Sequence, residues 1–461
     1  MPGAQANHRA LVPVLLYVVL LVAVISSLGA PLIPAIAAAN DVSVSSAQWA
    51  LTVTLVVGAV ATPVLGRLGD GPRRRTVVLG VLAVVLLGSV LAALPLGLGV
   101  TIAGRALQGL GLGLTPLAIA TARTALVGGR SRSTMAALSV AVTAGVGLGY
   151  PVTGFIAEVG GVHAAFWFGA LASLGALVAA AVVYPPSEPV PPRRLDVAGA
   201  LLLGLGLTAG LLALSEGEPQ GWTSRGVVGL AVLAVLTLAA WVVWQLRADA
   251  PLVDLRLARD RSTAIAHATA VLAGLANYLL LASAPRLAQT PGSTGYGFGT
   301  SIAVAGLVLL PFSAASVLGG LLSRPLDRRA GPRAVLSVGA LVLGVGLALF
   351  GLVRDDLWQL FAGSAVSGLG VGYMFAALPG VIVGAVPVRE TGSAMSLNQV
   401  LRYIGFAIGS ALSATLLEAA TPAGAAYPTT GGYTAIALVG CGVCLAMAAL
   451  TVFLPAQAPR R

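Results

Sequence analysis

The sequence predicts an all-α polytopic membrane protein with fourteen transmembrane helices, arranged as two six-helix bundles plus a central helix pair. Charged residues form 9% and hydrophobic residues 57% of the 461-residue chain, whereas roughly 25% of the residues of a soluble domain are charged. The apolar stretches are continuous rather than alternating, which excludes a membrane β-barrel. In addition, one loop pattern occurs in both halves of the chain.

The apolar stretches define the predicted helices. A helix needs about 20 apolar residues to cross a bilayer, and fourteen such stretches lie between clusters of Arg, Pro or acidic residues. Their centres are Val22, Val57, Leu87, Leu112, Val146, Leu174, Leu205, Leu236, Leu272, Leu310, Leu343, Gly370, Phe406 and Leu445. The first stretch resembles a secretory signal, but thirteen more follow it, so we expect an uncleaved helix.

The arginines predict the topology. All 26 basic residues are arginine; 21 lie in the termini and one set of loops, three lie in the opposite set, and Arg105 and Arg402 lie inside spans. Cytoplasmic loops carry the excess of arginine, so both termini are expected in the cytoplasm. The net charge of +11 then reflects topology, and no nucleic-acid partner is expected. A chain with arginine and no lysine suggests a GC-rich genome, hence a bacterial plasma membrane.

The repeated loop predicts the domain organisation. Gly66 to Arg75 and the segment from Gly320 to Arg333 each place a Gly, an Asp and a Gly-Pro-Arg between two spans. This places an N-terminal six-helix bundle at 1–184, a linker with two additional transmembrane helices at 185–250, and a C-terminal six-helix bundle at 251–461. Repeats of this kind are typical of alternating-access carriers, whose substrate site lies near the membrane midplane.

Three segments resemble motifs of the major facilitator superfamily, specifically its fourteen-span drug:proton antiporter branch. Gly66 to Arg75 is similar to the cytoplasmic G-x-L-x-D-…-G-R-R motif, about two residues shorter. Ile102 to Gly109 resembles the fourth-span motif, and Gly145 to Gly154 resembles the fifth-span antiporter motif, with Tyr150 where Gly is usual. The resemblance covers nearly the whole chain and implies the major facilitator fold and export of small molecules in exchange for protons.

The repeated loop is a candidate cytoplasmic gate. The Asp70 carboxylate is placed to cap a neighbouring helix N-terminus and to pair with Arg74 or Arg75, which would hold the cytoplasmic side closed. The alternative is a turn aspartate beside arginines that only set the topology. Duplication favours the gate, whose predicted members are Gly66, Asp70, Arg74, Arg75, Asp327 and Arg328.

Arg105 and Glu158 are the candidates for proton coupling. Arg105 lies in an apolar helix, where a charge is costly and marks a functional site; alternatively, it bonds backbone carbonyls or extends to the outer surface. The related branch carries an Asp in the first span, where this chain has Ile25. Glu158 directly follows the antiporter motif, and the alternative for it is an ordinary interfacial acid. We therefore expect Glu158 and Arg105 to carry the coupling.

Arg402 is the centre of the predicted substrate cavity. It lies about ten residues, or ~15 Å, into span thirteen, and Asn398 is one turn before it. A cation there favours anionic or carbonyl-bearing substrates, whereas the alternative is a pairing within the C-terminal half. Tyr150 either lines the cavity or fills a packing gap. The predicted cavity residues are Gln108, Tyr150, Asn277, Tyr278, Asn398 and Arg402, and the helix-packing residues are Gly145, Gly149, Pro151 and Gly154.

The predicted function is secondary active export of small lipophilic compounds, that is, drug or antibiotic efflux, by proton-coupled alternating access. No G-x-x-x-x-G-K-[ST] loop is present, so an ion gradient is the expected driving force. Cys441 and Cys444 are expected to be core cysteines, and neither a metal nor a cofactor is expected. The expected partners are substrate, protons and membrane lipids, with the chain as a monomer. The alternatives are an uncoupled facilitator or importer of the same fold and, third, a polytopic membrane enzyme.

Overall fold

The structure, a computed structural model, describes residues 2–28, 32–42, 44–186, 195–256, 260–422, 425 and 427–454, and their regular structure is helical. This confirms the all-α fold class. The helices are α1 (Pro2–Ser27), α2 (Ile33–Asn40), α3 (Val44–Gly69), α4 (Arg74–Ala93), α5 (Leu98–Gly109), α6 (Leu114–Ala125), α7 (Gly128–Val183), α8 (Val197–Gln220), α9 (Arg225–Arg247), α10 (Arg261–Gln289), α11 (Ile302–Leu307), α12 (Leu309–Leu352), α13 (Leu357–Ala385), α14 (Thr391–Ala419) and α15 (Thr430–Val452).

Ten helical segments among the described residues are long and apolar enough to cross a membrane. They are Trp49–Gly69, Arg74–Ala93, Gly128–Val183, Val197–Leu214, Arg225–Arg247, Arg261–Gln289, Val304–Leu352, Leu357–Ala385, Val388–Ala419 and Thr430–Val452. A shorter apolar segment, Ala10–Ser26, lies in α1. The chain is therefore a multi-pass membrane protein.

Two helices are interrupted by a glycine with non-helical backbone angles. α7 has 56 residues and α12 has 44, lengths of about 84 and 66 Å, against a hydrocarbon core of about 30 Å. Gly161 has φ 77° and ψ 175°, and Gly331 has φ 77° and ψ 174°. Only glycine adopts these angles readily, so each of the two long helices is divided at its glycine.

A 3₁₀ segment joins α5 and α6. It runs over Leu110–Gly113, between helices of 12 residues each. Glycine allows close packing here, because a Cβ on Gly109 would lie 2.5 Å from the Thr54 carbonyl oxygen of α3. The short helix α2 was not among the stretches predicted from hydropathy, whereas α11 lies within the stretch centred on Leu310.

Backbone contacts divide the chain into two compact units. The first comprises Met1–Thr208, Ala234–Leu257 and Val386–Leu397, and the second comprises Ala209–Leu233, Ala258–Ala385 and Asn398–Arg461. These bounds differ from the expected divisions at 184 and 250, since parts of α8, α9 and α14 belong to each unit.

Asp196 explains why the end of α9 belongs to the first unit. Its carboxylate accepts hydrogen bonds from Trp244 Nε1 at 2.9 Å and Gln245 Nε2 at 2.8 Å, both on α9. It also accepts the backbone N–H of Leu252 at 3.3 Å and of Gly199 at 2.8 Å. Burial alone would raise the pKa of Asp196, but these donors hold it below its ordinary value. The carboxylate thus joins the start of α8, the end of α9 and the following loop.

Candidate functional site

Asp70 caps the N-terminus of α14. One carboxylate oxygen accepts the backbone N–H of Gly392 at 2.8 Å, and the other accepts the backbone N–H and the hydroxyl of Ser393, each at 2.8 Å. Asp70 is only 3% exposed. The first N–H groups of a helix have no partner within the helix, and its dipole favours a negative charge at that end. Asp70 therefore caps a neighbouring helix N-terminus, as its place in the loop predicts.

Glycine makes the approach of α3 to α14 possible. A Cβ on Gly66 would lie 2.0 Å from Ser396 Oγ and 2.9 Å from the Gly392 carbonyl oxygen. A Cβ on Gly392 would lie 2.6 Å from Asp70 Oδ1. Both positions exclude any larger residue unless the two helices separate.

Two arginines of the same unit add contacts around this cap. Arg67 forms an ion pair with Glu390 at 3.3 Å, and both side chains are largely buried. Arg123, at the end of α6, donates to the Thr391 hydroxyl at 2.5 Å and to the Val386 carbonyl at 3.0 Å. We call Asp70, Arg67, Arg123, Glu390 and residues 391–393 the cytoplasmic clamp, after the side on which the arginine-rich loops are expected to lie.

The hydrogen-bonded ion pair expected between Asp70 and Arg74 or Arg75 is not found among the described residues. Arg74 donates to the Gly69 carbonyl at 2.7 Å and to the Thr124 hydroxyl at 2.8 Å, and Arg75 donates to the Ala181 carbonyl at 2.6 Å. The backbone N–H groups of α14 occupy the Asp70 oxygens instead, so both arginines contact carbonyls within the first unit.

Burial dominates the protonation of Asp70. It raises the pKa of this carboxyl from 3.8 to about 6, although the donors from Ser393 and Gly392 and the charge of Arg74 lower it. The group is therefore mostly ionised at neutral pH but titrates closer to neutrality than an exposed aspartate.

The second copy of the loop is built differently. Asp327 and Arg328 lie within α12, before its break at Gly331. Asp327 is half-buried and Arg328 is exposed. Neither side chain forms a hydrogen bond or an ion pair with another described residue. The structure therefore does not join them to the cytoplasmic clamp.

Arg105 is fully buried and bonds to the backbone of two other helices. Its Nε donates to the Ala50 carbonyl of α3 at 3.1 Å and its Nη1 donates to the Ile25 carbonyl of α1 at 2.8 Å. Its Nη2 has no hydrogen-bond partner among the described residues. The charge of Arg105 is thus stabilised by the backbone carbonyls of Ala50 and Ile25 and by the amide oxygen of Gln108. Ile25 is the first-span position at which the related branch has an acid.

Gln108 orients Arg105. Its amide oxygen accepts from Arg105 Nη1 at 2.7 Å, and its amide nitrogen donates to Ser89 Oγ at 2.9 Å. Ser89 in turn donates to the Val85 carbonyl at 2.8 Å. Gln108 was predicted to line the cavity, but both ends of its amide are engaged within the first unit.

Glu158 does not contact Arg105. Its side chain is exposed near the end of the first part of α7, and Arg105 bonds instead to Ala50, Ile25 and Gln108. Within the described residues, Asp70 is the one buried acid, and it lies outside the spans. The expected pair for proton coupling is therefore not assembled in this structure.

Arg402 lies in the second unit and is 2% exposed. Its Nη2 donates to the Gln399 amide oxygen, and its guanidinium carbon lies 4.6 Å from the centre of the Phe375 ring on α13. Its Nε has no hydrogen-bond partner among the described residues. No described acid pairs with Arg402, and its guanidinium contacts an amide oxygen and an aromatic ring face of the second unit.

The other predicted cavity residues of this unit lie on α10 and α14. Asn398 lies 3.5 Å from His267 Nδ1, and Tyr278 contacts Phe406 with ring centres 5.8 Å apart. Asn277 is 1% exposed, and neither of its amide atoms has a partner among the described residues. α10 and α14 pack closely, since a Cβ on Gly274 would lie 2.5 Å from the Arg402 carbonyl oxygen.

The predicted packing residues of α7 differ in their surroundings. A Cβ on Gly145 would lie 2.6 Å from Ala23 Cβ, so α7 lies against α1 there. Gly149 is buried and its carbonyl accepts the Thr153 hydroxyl at 2.6 Å, whereas a Cβ on Gly154 would meet nothing within 4 Å. Tyr150 and Pro151 are half-buried within α7. Close packing therefore holds at Gly145 and not at Gly154.

Several clamp residues were not predicted from the sequence. Arg67, Arg123 and Glu390 are loop or helix-end charges of the kind that topology alone explains. The pair Gly392-Ser393 at the start of an apolar stretch was the sequence signal that could have indicated this contact. Small residues at a helix start let an acid approach the free N–H groups of the helix. Among the described residues no three His, Cys, Asp or Glu form a group that could hold a metal.

Known proteins identify the family. The family model described as Major Facilitator Superfamily matches residues 15–258 and 266–461 of this chain. The multidrug resistance protein B homolog of Mycobacterium tuberculosis is 28% identical over 390 residues, covering 80% of this chain and 68% of its own. The probable actinorhodin transporter of Streptomyces coelicolor is 28% identical over 402 residues, covering 83% and 68% of the two chains.

A solved structure supports the same fold. The human organic anion transporter MFSD10 superimposes with a TM-score of 0.67 and 18% identity over 96% of this chain and 99% of its own. An identity this low shows the fold alone. The family match and the transporter relatives together indicate a transporter and not an enzyme. The chain belongs to the major facilitator superfamily.

Proposed function

We propose that this transporter exports small lipophilic compounds, including drugs or antibiotics, from the cytoplasm by alternating access. The observation that carries the proposal is the cytoplasmic clamp, in which Asp70 caps α14 through Gly392 and Ser393. The multidrug resistance protein B homolog and the actinorhodin transporter, each 28% identical, support drug and antibiotic efflux. In this proposal the chain works as a monomer in a bacterial plasma membrane, with both termini in the cytoplasm.

We propose fourteen membrane crossings. Ten segments qualify by length and hydropathy, and the two divided at Gly161 and Gly331 count twice, because each part has roughly 20 residues or more. α1 adds one crossing and α5 with α6 adds another, interrupted by its 3₁₀ segment. In this proposal the clamp lies on the cytoplasmic side, where the arginine-rich loops are expected.

The clamp suggests how one end of the pathway opens. When the clamp is formed, three donors of α14 are satisfied by one buried carboxylate. Breaking the clamp frees two N–H groups and a carboxylate that water can solvate only once the helices separate. A contact of this kind supports two discrete arrangements rather than a gradual opening, as alternating access requires.

Proton-coupled antiport through Arg105 and Glu158 is the finer part of the proposal, and the resemblance to the drug:proton antiporter branch supports it. An uncoupled facilitator or importer of the same fold is the second candidate. It is favoured by Ile25 in place of the first-span acid and by the contact of Arg105 with the Ile25 carbonyl. If Glu158→Gln exports with an unchanged dependence on the pH gradient, the role assigned to Glu158 is wrong.

Transport in proteoliposomes tests the function. Purified protein is reconstituted, a pH gradient is imposed, and the movement of a broad panel of lipophilic compounds is followed, with protein-free liposomes as the control. We expect directional movement of at least one compound class. Absence of movement for every compound, with or without the gradient, would exclude export as the function.

A further inference from the structure

Arg402 carries a charge that has no counter-ion among the described residues. It lies eleven residues into α14, about 16 Å from the helix start, close to the middle of a 30 Å hydrocarbon core. No described acid lies within ion-pair distance of it. A buried, unpaired cation in a span is costly and marks a functional site.

The contacts of Arg402 leave part of its binding capacity unused. Gln399 offers one neutral oxygen, and Phe375 offers a ring face at 4.6 Å. The Nε–H has no acceptor among the described residues. A guanidinium has five N–H donors in a planar fork that matches a carboxylate through two parallel hydrogen bonds. A carboxylate is therefore the ligand that would both use this donor and neutralise the charge.

The surroundings of Arg402 combine polar and aromatic groups. The Gln399 amide donates to the Tyr403 hydroxyl at 2.7 Å, and the Tyr403 ring lies 6.1 Å from Phe406. We call Arg402, Gln399, Phe375, Tyr403 and Phe406 the Arg402 cluster.

Building on the proposed function, we propose that the Arg402 cluster binds the carboxylate of an amphipathic aromatic monoanion, and that such anions are the compounds exported. The guanidinium takes the carboxylate, and the neighbouring rings take the apolar body of the ligand by stacking. A cationic compound meets the like charge of Arg402 and finds no buried acid in the described spans. The cluster therefore selects against the same apolar body when it carries a positive charge.

An anionic substrate also gives a reason for the missing first-span acid. The membrane potential of a bacterium, negative inside, drives a monoanion outward on its own. Export of such an anion needs no proton-binding carboxylate and therefore favours the uncoupled facilitator, the second candidate, over proton-coupled antiport. The absence of a first-span acid agrees with this driving force, because Ile25 stands in its place and Arg105 donates to the Ile25 carbonyl instead.

Matched ligands test the proposal. Binding and proteoliposome transport are measured for dansylglycine, 2-naphthoic acid and biphenyl-4-carboxylic acid, each beside its methyl ester, and for dansylcadaverine as the cation. We expect the acids to bind at least tenfold more tightly than their esters and to be transported in preference to dansylcadaverine. Transport of esters or of dansylcadaverine without the acids would overturn the anion site and leave export standing. Movement of no compound in this or the broad panel would overturn export itself.

Variants of Arg402 locate the site. Arg402→Gln keeps a polar side chain but removes the charge, and we expect it to weaken binding of the acids about tenfold or more while leaving the esters unchanged. Arg402→Lys keeps the charge without the planar fork, and its affinity for the acids should lie between those of the wild type and Arg402→Gln. Arg329→Gln, an exposed arginine of α12, is the control. If Arg402→Gln unfolds, Arg402→Lys decides, and acid binding equal to wild type in either folded variant refutes the site.

Discussion

The carboxylate of Asp70 accepts the backbone N–H of Gly392 at 2.8 Å, across a sequence separation of 322 residues. The same carboxylate accepts the backbone N–H and the hydroxyl of Ser393. One side chain after α3 thus provides the acceptor for two backbone N–H groups in the first turn of α14. Gly66 and Gly392 leave the space that this contact needs. The cytoplasmic clamp thus depends on one acid and two glycines.

Asp70→Asn should weaken the clamp. The Asn oxygen can still accept from Gly392, but the amide nitrogen has no lone pair for the Ser393 N–H, which is left buried without an acceptor. Such a loss costs about 1–3 kcal/mol, so the ratio of closed to open clamp should fall at least about fivefold. The measurement is the distance between spin labels at Leu68→Cys and Val388→Cys, two exposed positions, with Cys441 and Cys444 replaced by Ser.

The internal repeat supplies the control for this variant. Asp327 occupies the matching position of the second loop but has no hydrogen bond or ion pair within the described residues. Asp327→Asn should therefore leave the label distances and the transport rate close to those of wild type. Equal damage from both variants would mean that the duplicated loops work as a pair and that the clamp is not the gate.

The clamp should also respond to pH. The pKa of Asp70 is about 6 in the clamp and returns towards 3.8 once the carboxyl is exposed, so protonation favours the closed form. The closed population should be largest below about pH 4, fall as the pH rises through about 6, and stay constant above that. A protonated carboxyl keeps a lone pair for the Ser393 N–H and can donate to the Ser393 hydroxyl.

The same spin-label pair measures this pH response. Asp70→Asn has no titrating group at this position and should give label distances that do not change between pH 4 and pH 7. A wild-type response of the opposite direction, with more open clamp at low pH, would show that the three hydrogen bonds outweigh burial at this carboxyl.

Hydropathy predicts most of the fold because bilayer thickness sets the length of each span. Thirteen of the fourteen predicted centres lie in α-helices, and Leu112 lies in the 3₁₀ segment between α5 and α6. The interruptions at Gly161 and Gly331 could not be distinguished from ordinary packing glycines, because a backbone angle leaves no trace in composition. The hydrogen bonds from the end of α9 to Asp196 could not be predicted from hydropathy either.

The candidate site was predictable only where one residue type carries the chemistry. Arg105 and Arg402 were identifiable because a charge inside an apolar stretch is rare, and Asp70 because its loop recurs. Partners were not predictable: Arg74 contacts Thr124, and Asp70 contacts Gly392. Spacing along one helix says which residues share a face, but contacts between distant helices depend on packing that a single sequence does not encode in any short pattern.

Gly161→Ala should destabilise the protein by about 1–3 kcal/mol. Its angles, φ 77° and ψ 175°, lie in a region that residues with a Cβ rarely adopt. Gly154→Ala is the matched control in the same helix, because an added Cβ there meets nothing within 4 Å and alanine has the higher helix propensity. Thermal unfolding in detergent compares the two, and equal melting temperatures would contradict the break at Gly161.

Export of an anion should respond to voltage. An imposed potential of 100 mV favours movement of one charge by about 2.3 kcal/mol, so a valinomycin potassium gradient should accelerate transport of dansylglycine in proteoliposomes. Its methyl ester carries no charge and should show no acceleration. An equal response of the two compounds would mean that charge is not moved with the substrate.

Ile25→Asp should increase the dependence of export on the pH gradient. The Ile25 carbonyl accepts Arg105 Nη1 at 2.8 Å and the Ile25 side chain is 2% exposed, so the new carboxyl would be buried near a cation that has no acid partner among the described residues. A carboxyl in such a place can bind and release a proton as the site alternates between the two sides of the membrane. The measured quantity is the ratio of export rates with and without an imposed pH gradient. Ile25→Asn has the same size and binds no proton, so its ratio should equal that of wild type, and a ratio in Ile25→Asp that matches Ile25→Asn would show that Arg105 does not support coupling.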